Sequence, residues 1–152
     1  MKIKRSYLIA FTILSIIFGS FFRLHNLSKN MEFTWDQETT ATKVLEMFRG
    51  KKPLLIGPRV GPAKFFLPPF YYYLTAVFLL ITKFDPISLY YCSALIGIFT
   101  GLAFYFFSKE IFDEKTAFLT AIIYFLSPLL IYFDRLPWNV NLLILASLLT
   151  FL

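Results

Sequence analysis

Pro68-Pro69-Phe70-Tyr71-Tyr72-Tyr73-Leu74-Thr75-Ala76-Val77-Phe78-Leu79-Leu80-Ile81-Thr82-Lys83 is the stretch on which the fold turns. A double proline opens it and Lys83, Asp85 and Pro86 close it. As a helix over residues 69–83 it would be about 22 Å long, against a hydrocarbon core of roughly 30 Å. It is therefore expected to lie in the interface rather than to cross. The crossings are then 7–22, 87–107 and 116–133, and the two polar stretches of the chain, 25–86 and 134–141, leave the membrane on one face. If 69–83 crossed instead, the two stretches would face opposite compartments and share nothing.

Composition supports a membrane protein. Of 152 residues 58% are hydrophobic and 20% aromatic, the mean hydropathy is +0.67, and apolar runs approach the length a bilayer requires. The net charge of +6 comes from basic residues at the N-terminus and in one loop, which suits lipid head groups and phosphorylated lipids and not nucleic acid. Cys92 is the single cysteine, so an intrachain disulfide and a paired-cysteine metal site are excluded.

Lys2, Lys4 and Arg5 precede the apolar run 7–22, which reads as an uncleaved first span with its N-terminus in the cytoplasm. The chain then emerges outside near Arg23 and His25. Thr34-Trp35-Asp36-Gln37-Glu38 comes next, with Thr34 and Gln37 spaced as a capping box. Ala41, Val44, Leu45 and Phe48 recur at helical spacing up to Gly50, which predicts an amphipathic helix over 36–49 on the membrane surface, with Asp36 in its first turn. Gly57-Pro58 and Gly61-Pro62 make a turn-rich loop that carries Arg59 and leads to Lys64. The loop 25–86 holds eight basic and five acidic residues, and a loop of about 60 residues is only weakly bound by the positive-inside rule.

Residues 87–107 make a charge-free helix of about 31 Å, with tyrosines near both ends. The span 116–133 contains Ser127-Pro128, where proline removes a donor and kinks a membrane helix. Asp134-Arg135-Leu136-Pro137-Trp138-Asn139-Val140-Asn141 is the second polar stretch, with Asn139 and Asn141 placed to cap the last helix. From 142 an apolar run reaches 152 without a stop signal, as the start of a fourth span in a truncated chain.

The ordered set of first helix, Trp35-Asp36-Gln37-Glu38, Gly57-Pro58, Leu67-Pro68-Pro69-Phe70-Tyr71-Tyr72-Tyr73-Leu74, Ser127-Pro128 and Arg135 to Asn141 resembles the N-terminal module of GT-C superfamily glycosyltransferases. The nearest resemblance is to the branch with Rgt-type transferases and relatives of protein O-mannosyltransferases and the aminoarabinose transferase. It spans almost the whole chain, and its strength lies in the order rather than in any one motif. It implies an all-α polytopic membrane protein with two juxtamembrane helices in the first outer loop. It further implies an enzyme of the cell envelope that moves a hexose or pentose from a polyprenyl-phosphate donor to an acceptor glycan, lipid or protein outside. The essential aspartate of that loop falls on Asp36, with Glu38 beside it. Relatives often carry Asp-Glu where this chain has Asp36-Gln37, and Lys directly before Pro-Pro where it has Phe66-Leu67, which leaves Arg59 and Lys64 as equal candidates.

The chemistry of the residues runs the same way. A carboxylate takes or orients the proton of an attacking hydroxyl, and Asp36 and Glu38 are the candidates. Arg59, Lys64 and Arg135 can bind the donor phosphate. Tyr71, Tyr72, Trp138 and Asn139 are placed for sugar or lipid contact. Asp36 and Asp134, with Glu38, would hold a divalent cation if they converge. Each has a plainer reading: a helix-start residue for Asp36, head-group contacts for Arg59 and Lys64, interfacial anchors for the tyrosines, a surface pair for Asp134 and Arg135. Two other classes stand beside the transferase, a small non-catalytic membrane subunit and, ranked last, a transporter or flippase fragment, which should show internal repeats. The truncated chain is expected to be inactive alone.

Overall fold

The structure is a computed structural model that describes residues 4–30, 33–61 and 65–152. Lys2, Pro62 and Lys64 lie outside the described residues. Seven helices occur in order among them: α1 Arg5–Leu24, α2 Trp35–Gly50, α3 Phe70–Ile81, α4 Ile87–Ile111, α5 Glu114–Leu126, α6 Pro128–Arg135 and α7 Asn139–Thr150, with a 3₁₀ turn at Leu27–Asn30 after α1. The molecule is all-helical, and α4 lies at its centre, packed against α1, α3, α5, α6 and α7. By length and apolar character α1 and α4 can cross a membrane, and α5 with α6 makes a third crossing if the bent pair is one span. Helix α3, with 12 residues, reaches about 18 Å, short of the roughly 30 Å core.

The segment read as one kinked span over 116–133 is two helices bent by 63°. Ser127 ends α5 and starts α6, where its Oγ accepts from the Leu130 N–H at 3.4 Å, and Pro128 takes the first helical position, where a missing N–H costs nothing. The last carbonyls of α5 lose their intrahelical donors. For Tyr124 the loss is unavoidable, because residue 128 has no N–H to give.

Arg23 of α1 fills that gap. Its side chain is completely buried and donates from Nη2 to Tyr124 O at 3.1 Å and from Nη1 to Phe125 O at 3.3 Å and to Gly19 O at 3.1 Å. Its Nε meets Asp134 Oδ2 at 2.8 Å, and the guanidinium lies 5.1 Å from the centre of the Tyr124 ring. Asp134 in turn accepts from the Tyr124 hydroxyl at 3.0 Å. One arginine thus satisfies the broken helix and neutralises the carboxylate on its second half. The reading of Asp134 as a surface partner of Arg135 gives way to this buried pair.

Close approach makes the pair possible. Thr12, Ser15, Gly19 and Arg23 form the buried stripe of α1, and a Cβ on Gly19 would stand 2.4 Å from Phe125 O. On α4, a Cβ on Gly97 would stand 2.4 Å from Asp134 Cγ, and one on Gly101 would strike the Tyr124 and Phe125 rings. Gly97 and Gly101 form the small-xxx-small spacing by which membrane helices approach without a hydrophobic driving force.

Part of the apolar face of α2 packs on α3. Val44 joins Tyr72, Ala76, Leu79 and Leu89 in a buried cluster, with Ala41 and Met47 against it, while Phe48 meets Phe84 edge-on with ring centres 5.7 Å apart. At the start of α2 the Thr34 and Gln37 capping box forms, with Gln37 Oε1 accepting from the Thr34 N–H at 2.9 Å. At its end Lys51, not Gly50, takes the left-handed conformation, φ +48°.

Replacing Arg23 by alanine is expected to cost about 3–5 kcal/mol in detergent, the usual penalty for leaving a buried charge alone. Chemical unfolding checks this, and the Arg23→Ala/Asp134→Ala double variant should recover part of the loss because the stranded carboxylate is gone.

Candidate functional site at the junction of the two polar stretches

Helix directions bring the two polar stretches together. Arg5 Nη2 meets Glu114 Oε1 at 2.7 Å, so α1 and α5 start at the same end of the molecule, while Arg23 ties the far end of α1 to the far end of α5. Arg135 repeats the exchange in reverse: its Nη1 donates to Phe22 O at 3.2 Å and its Nη2 to His25 O at 3.1 Å and Asn26 O at 3.4 Å. Arg23 thus serves the C-terminal carbonyls of α5, and Arg135 those at the end of α1 and just beyond it. The exit of α1 and the α6–α7 turn are adjacent in space.

Asp36 sits in the first turn of α2 and is exposed. Glu38 is exposed in the same turn. Tyr71, in the first turn of α3, is buried and within electrostatic reach of Cys92 and Asp36. Burial chiefly, and these neighbours with Tyr72, push its phenol well above its ordinary value of 10.0. It stays protonated. Tyr71 also lines an apolar pocket of about 200 Å³ with Pro58, Pro68 and Asn139. Its neighbour, of about 580 Å³, is lined by Trp138, Asp134, Asn141 and Tyr124, and Val140 belongs to both.

Of the residues singled out from the sequence, Tyr71 and Asn139 line one pocket, Trp138 lines its neighbour, and Asp36 lies within electrostatic reach of Tyr71. Tyr72 packs under Val44 instead, in the α2–α3 core. Arg59 lies in a narrow loop where Gly57 N–H donates to Leu67 O at 3.0 Å and Leu67 N–H to Pro58 O at 2.9 Å, and a bridge joins Arg59 to Phe66. A Cβ on Gly57 would stand 2.4 Å from Leu67 O and Pro68 O, so only glycine lets this loop lie against the double proline. Arg135 faces a different groove, beside the end of α1. Asp134 is engaged by Arg23 and Tyr124. Among the described residues no three His, Cys, Asp or Glu side chains gather as a metal site.

Asn141 departs from the role its position in the sequence suggests. It does not cap α7, whose N-cap is Trp138. Buried, its Nδ2 donates to Ser93 Oγ at 2.9 Å, Leu136 O at 2.9 Å and Phe133 O at 3.0 Å, which fixes the α6–α7 turn to α4. The one signal of this in the sequence is an amide two residues inside an apolar helix, where an unpaired polar group is costly.

An all-helical protein with helices able to cross a membrane and a family match over its C-terminal half is a GT-C-type glycosyltransferase by class. The chain belongs to the dolichyl-phosphate-mannose-protein mannosyltransferase family, whose model matches residues 67–152. No curated protein and no solved structure matches it.

Asn141→Ala is expected to lower stability by about 1–3 kcal/mol, as buried carbonyls lose their donor, and to loosen the turn that carries Trp138 and Asn139. Thermal unfolding together with Trp138 fluorescence would register both effects.

Proposed function

We propose that the chain moves a mannosyl group from a polyprenyl-phosphate carrier to an acceptor hydroxyl on the outer face of the cell membrane, with its N-terminus in the cytoplasm. The family supports the sugar and the carrier. The observation that supports the site is the position of Tyr71, which lines an apolar pocket with Asn139 and lies within electrostatic reach of Asp36.

In this reading Asp36 is the general base. It takes the proton of the acceptor hydroxyl as the oxygen attacks the sugar C1, and the bond from C1 to the phosphate oxygen breaks. The glycoside and the polyprenyl phosphate leave, and the carboxylate returns its proton to water. General base catalysis of this kind contributes roughly 10²–10⁴ in rate. Negative charge grows on the departing phosphate, where Arg59 and Lys64 on the loop preceding the double proline supply cations. The Tyr71 hydroxyl and the Asn139 amide orient the sugar by hydrogen bonds, Trp138 stacks on its ring, and Glu38 adds to the local negative field that holds the acceptor hydroxyl. The apolar walls of the two neighbouring pockets exclude water, which would otherwise compete as the acceptor.

Asp36→Asn keeps the shape and removes the base. Membranes carrying this variant should lose about 10²–10⁴-fold in mannosyl transfer while still binding polyprenyl-phosphate mannose. Unchanged turnover would remove Asp36 from the chemistry, and lost donor binding would give it a different role.

A further inference from the structure

A groove of about 810 Å³ opens between the end of α1, its 3₁₀ turn, the start of α4 and helix α6. It lies on the face of α6 opposite the Asp134 pocket: Pro128, Ile131 and Arg135 line this groove, whereas Leu130, Phe133 and Asp134 line the other. Among the described residues its two charged lining residues, Lys29 and Arg135, are both cations, and its walls are apolar, with Phe22, Leu126, Pro128 and Ile131 among them. Asp134 does not neutralise Arg135, because it is held by Arg23.

The level of the charges is set by the fold. Arg135 donates to carbonyls at the C-terminal end of α1, and Lys29 lies in the turn just after it, so both cations stand where α1 leaves the hydrocarbon. The apolar part of the groove runs along α6 and the last turns of α1 and α5, and Phe22 and Tyr132 on its rim are exposed. A cationic mouth at the interface above an apolar trough has the chemistry to seat an amphiphile, anionic head outward and acyl chain inward.

We propose that this groove binds an anionic glycerophospholipid of the surrounding bilayer, its phosphate held by Lys29 and Arg135 and one chain laid along α6. The site is separate from the sugar-transfer site and stands or falls independently of it. Charge complementarity decides the occupant. Two cations without a carboxylate among the described lining residues favour a lipid of net negative charge over a zwitterionic one, by about fivefold per cation.

Native mass spectrometry of the protein in mild detergent, titrated with phosphatidylglycerol, phosphatidylcholine or polyprenyl phosphate, tests this. Phosphatidylglycerol should be retained at least tenfold better than phosphatidylcholine, and Lys29→Gln should remove about fivefold of that preference. Arg135→Gln should remove more, and Ile131→Trp, which fills the trough, should reduce retention of both phospholipids. Lys29 is exposed, so its variant keeps the test open if Arg135→Gln fails to fold. Equal retention of the two phospholipids, or a preference untouched by Lys29→Gln, would overturn the proposal. So would polyprenyl phosphate displacing phosphatidylglycerol with the same dependence on Lys29, which would hand the groove and Arg135 to the sugar donor.

Discussion

The fold depends on an arginine that finishes another helix. Pro128 breaks the third apolar segment and strips α5 of donors for its last carbonyls, and in a bilayer no water replaces them. Arg23 brings five N–H groups in a fixed fork, reaches those carbonyls and Gly19 O through Nη1 and Nη2, and turns Nε to Asp134. A buried ion pair alone is weak support for stability, since removing two charges from water costs about what their attraction returns. Here the same guanidinium also satisfies backbone groups that have no other partner in their own helix, and that shifts the balance.

This contact governs placement. With the end of α1 fixed to the break in the third segment, α6 must leave at 63° to α5, and Arg135 falls onto the carbonyls of α1. The turn after α6 then lies beside the chain leaving α1, and Asn141 fastens it to α4. Glycines at 19, 97 and 101 are the steric condition, because a single methyl at Gly97 would occupy the position of the Asp134 carboxylate. Packing and polar satisfaction thus act at the same few positions, as expected where helices associate without a hydrophobic drive.

Local features are legible in the sequence and long-range pairings are not. The Thr34 and Gln37 box, the amphipathic helix behind it, the shortness of the aromatic helix after Pro68-Pro69 and the charge-free helix from Ile87 all come from spacing and length. Sequence alone shows Arg23 only as a residue at the membrane exit and Asp134 as a metal or surface group, because nothing local says that two charges 111 positions apart will meet. The hints are an arginine on the same face as Thr12, Ser15 and Gly19, and an acid one helical turn and more beyond a Ser-Pro break. The spacing of Gly97 and Gly101 is a further signal of close approach. For the site, Asp36 is visible from its position at a helix start, but its nearness to Tyr71, and the shared pocket of Tyr71 and Asn139, are products of tertiary packing.

The account rests on both polar stretches opening to one side of the membrane. Single cysteines at Trp35 and Trp138, both exposed, in a background where buried Cys92 is replaced by alanine, can be challenged in intact cells with a membrane-impermeant maleimide. Both positions should be labelled from outside, before the membrane is opened. Labelling of one from outside and of the other only after lysis would place a membrane between Asp36 and Asn139, and a common site could not exist.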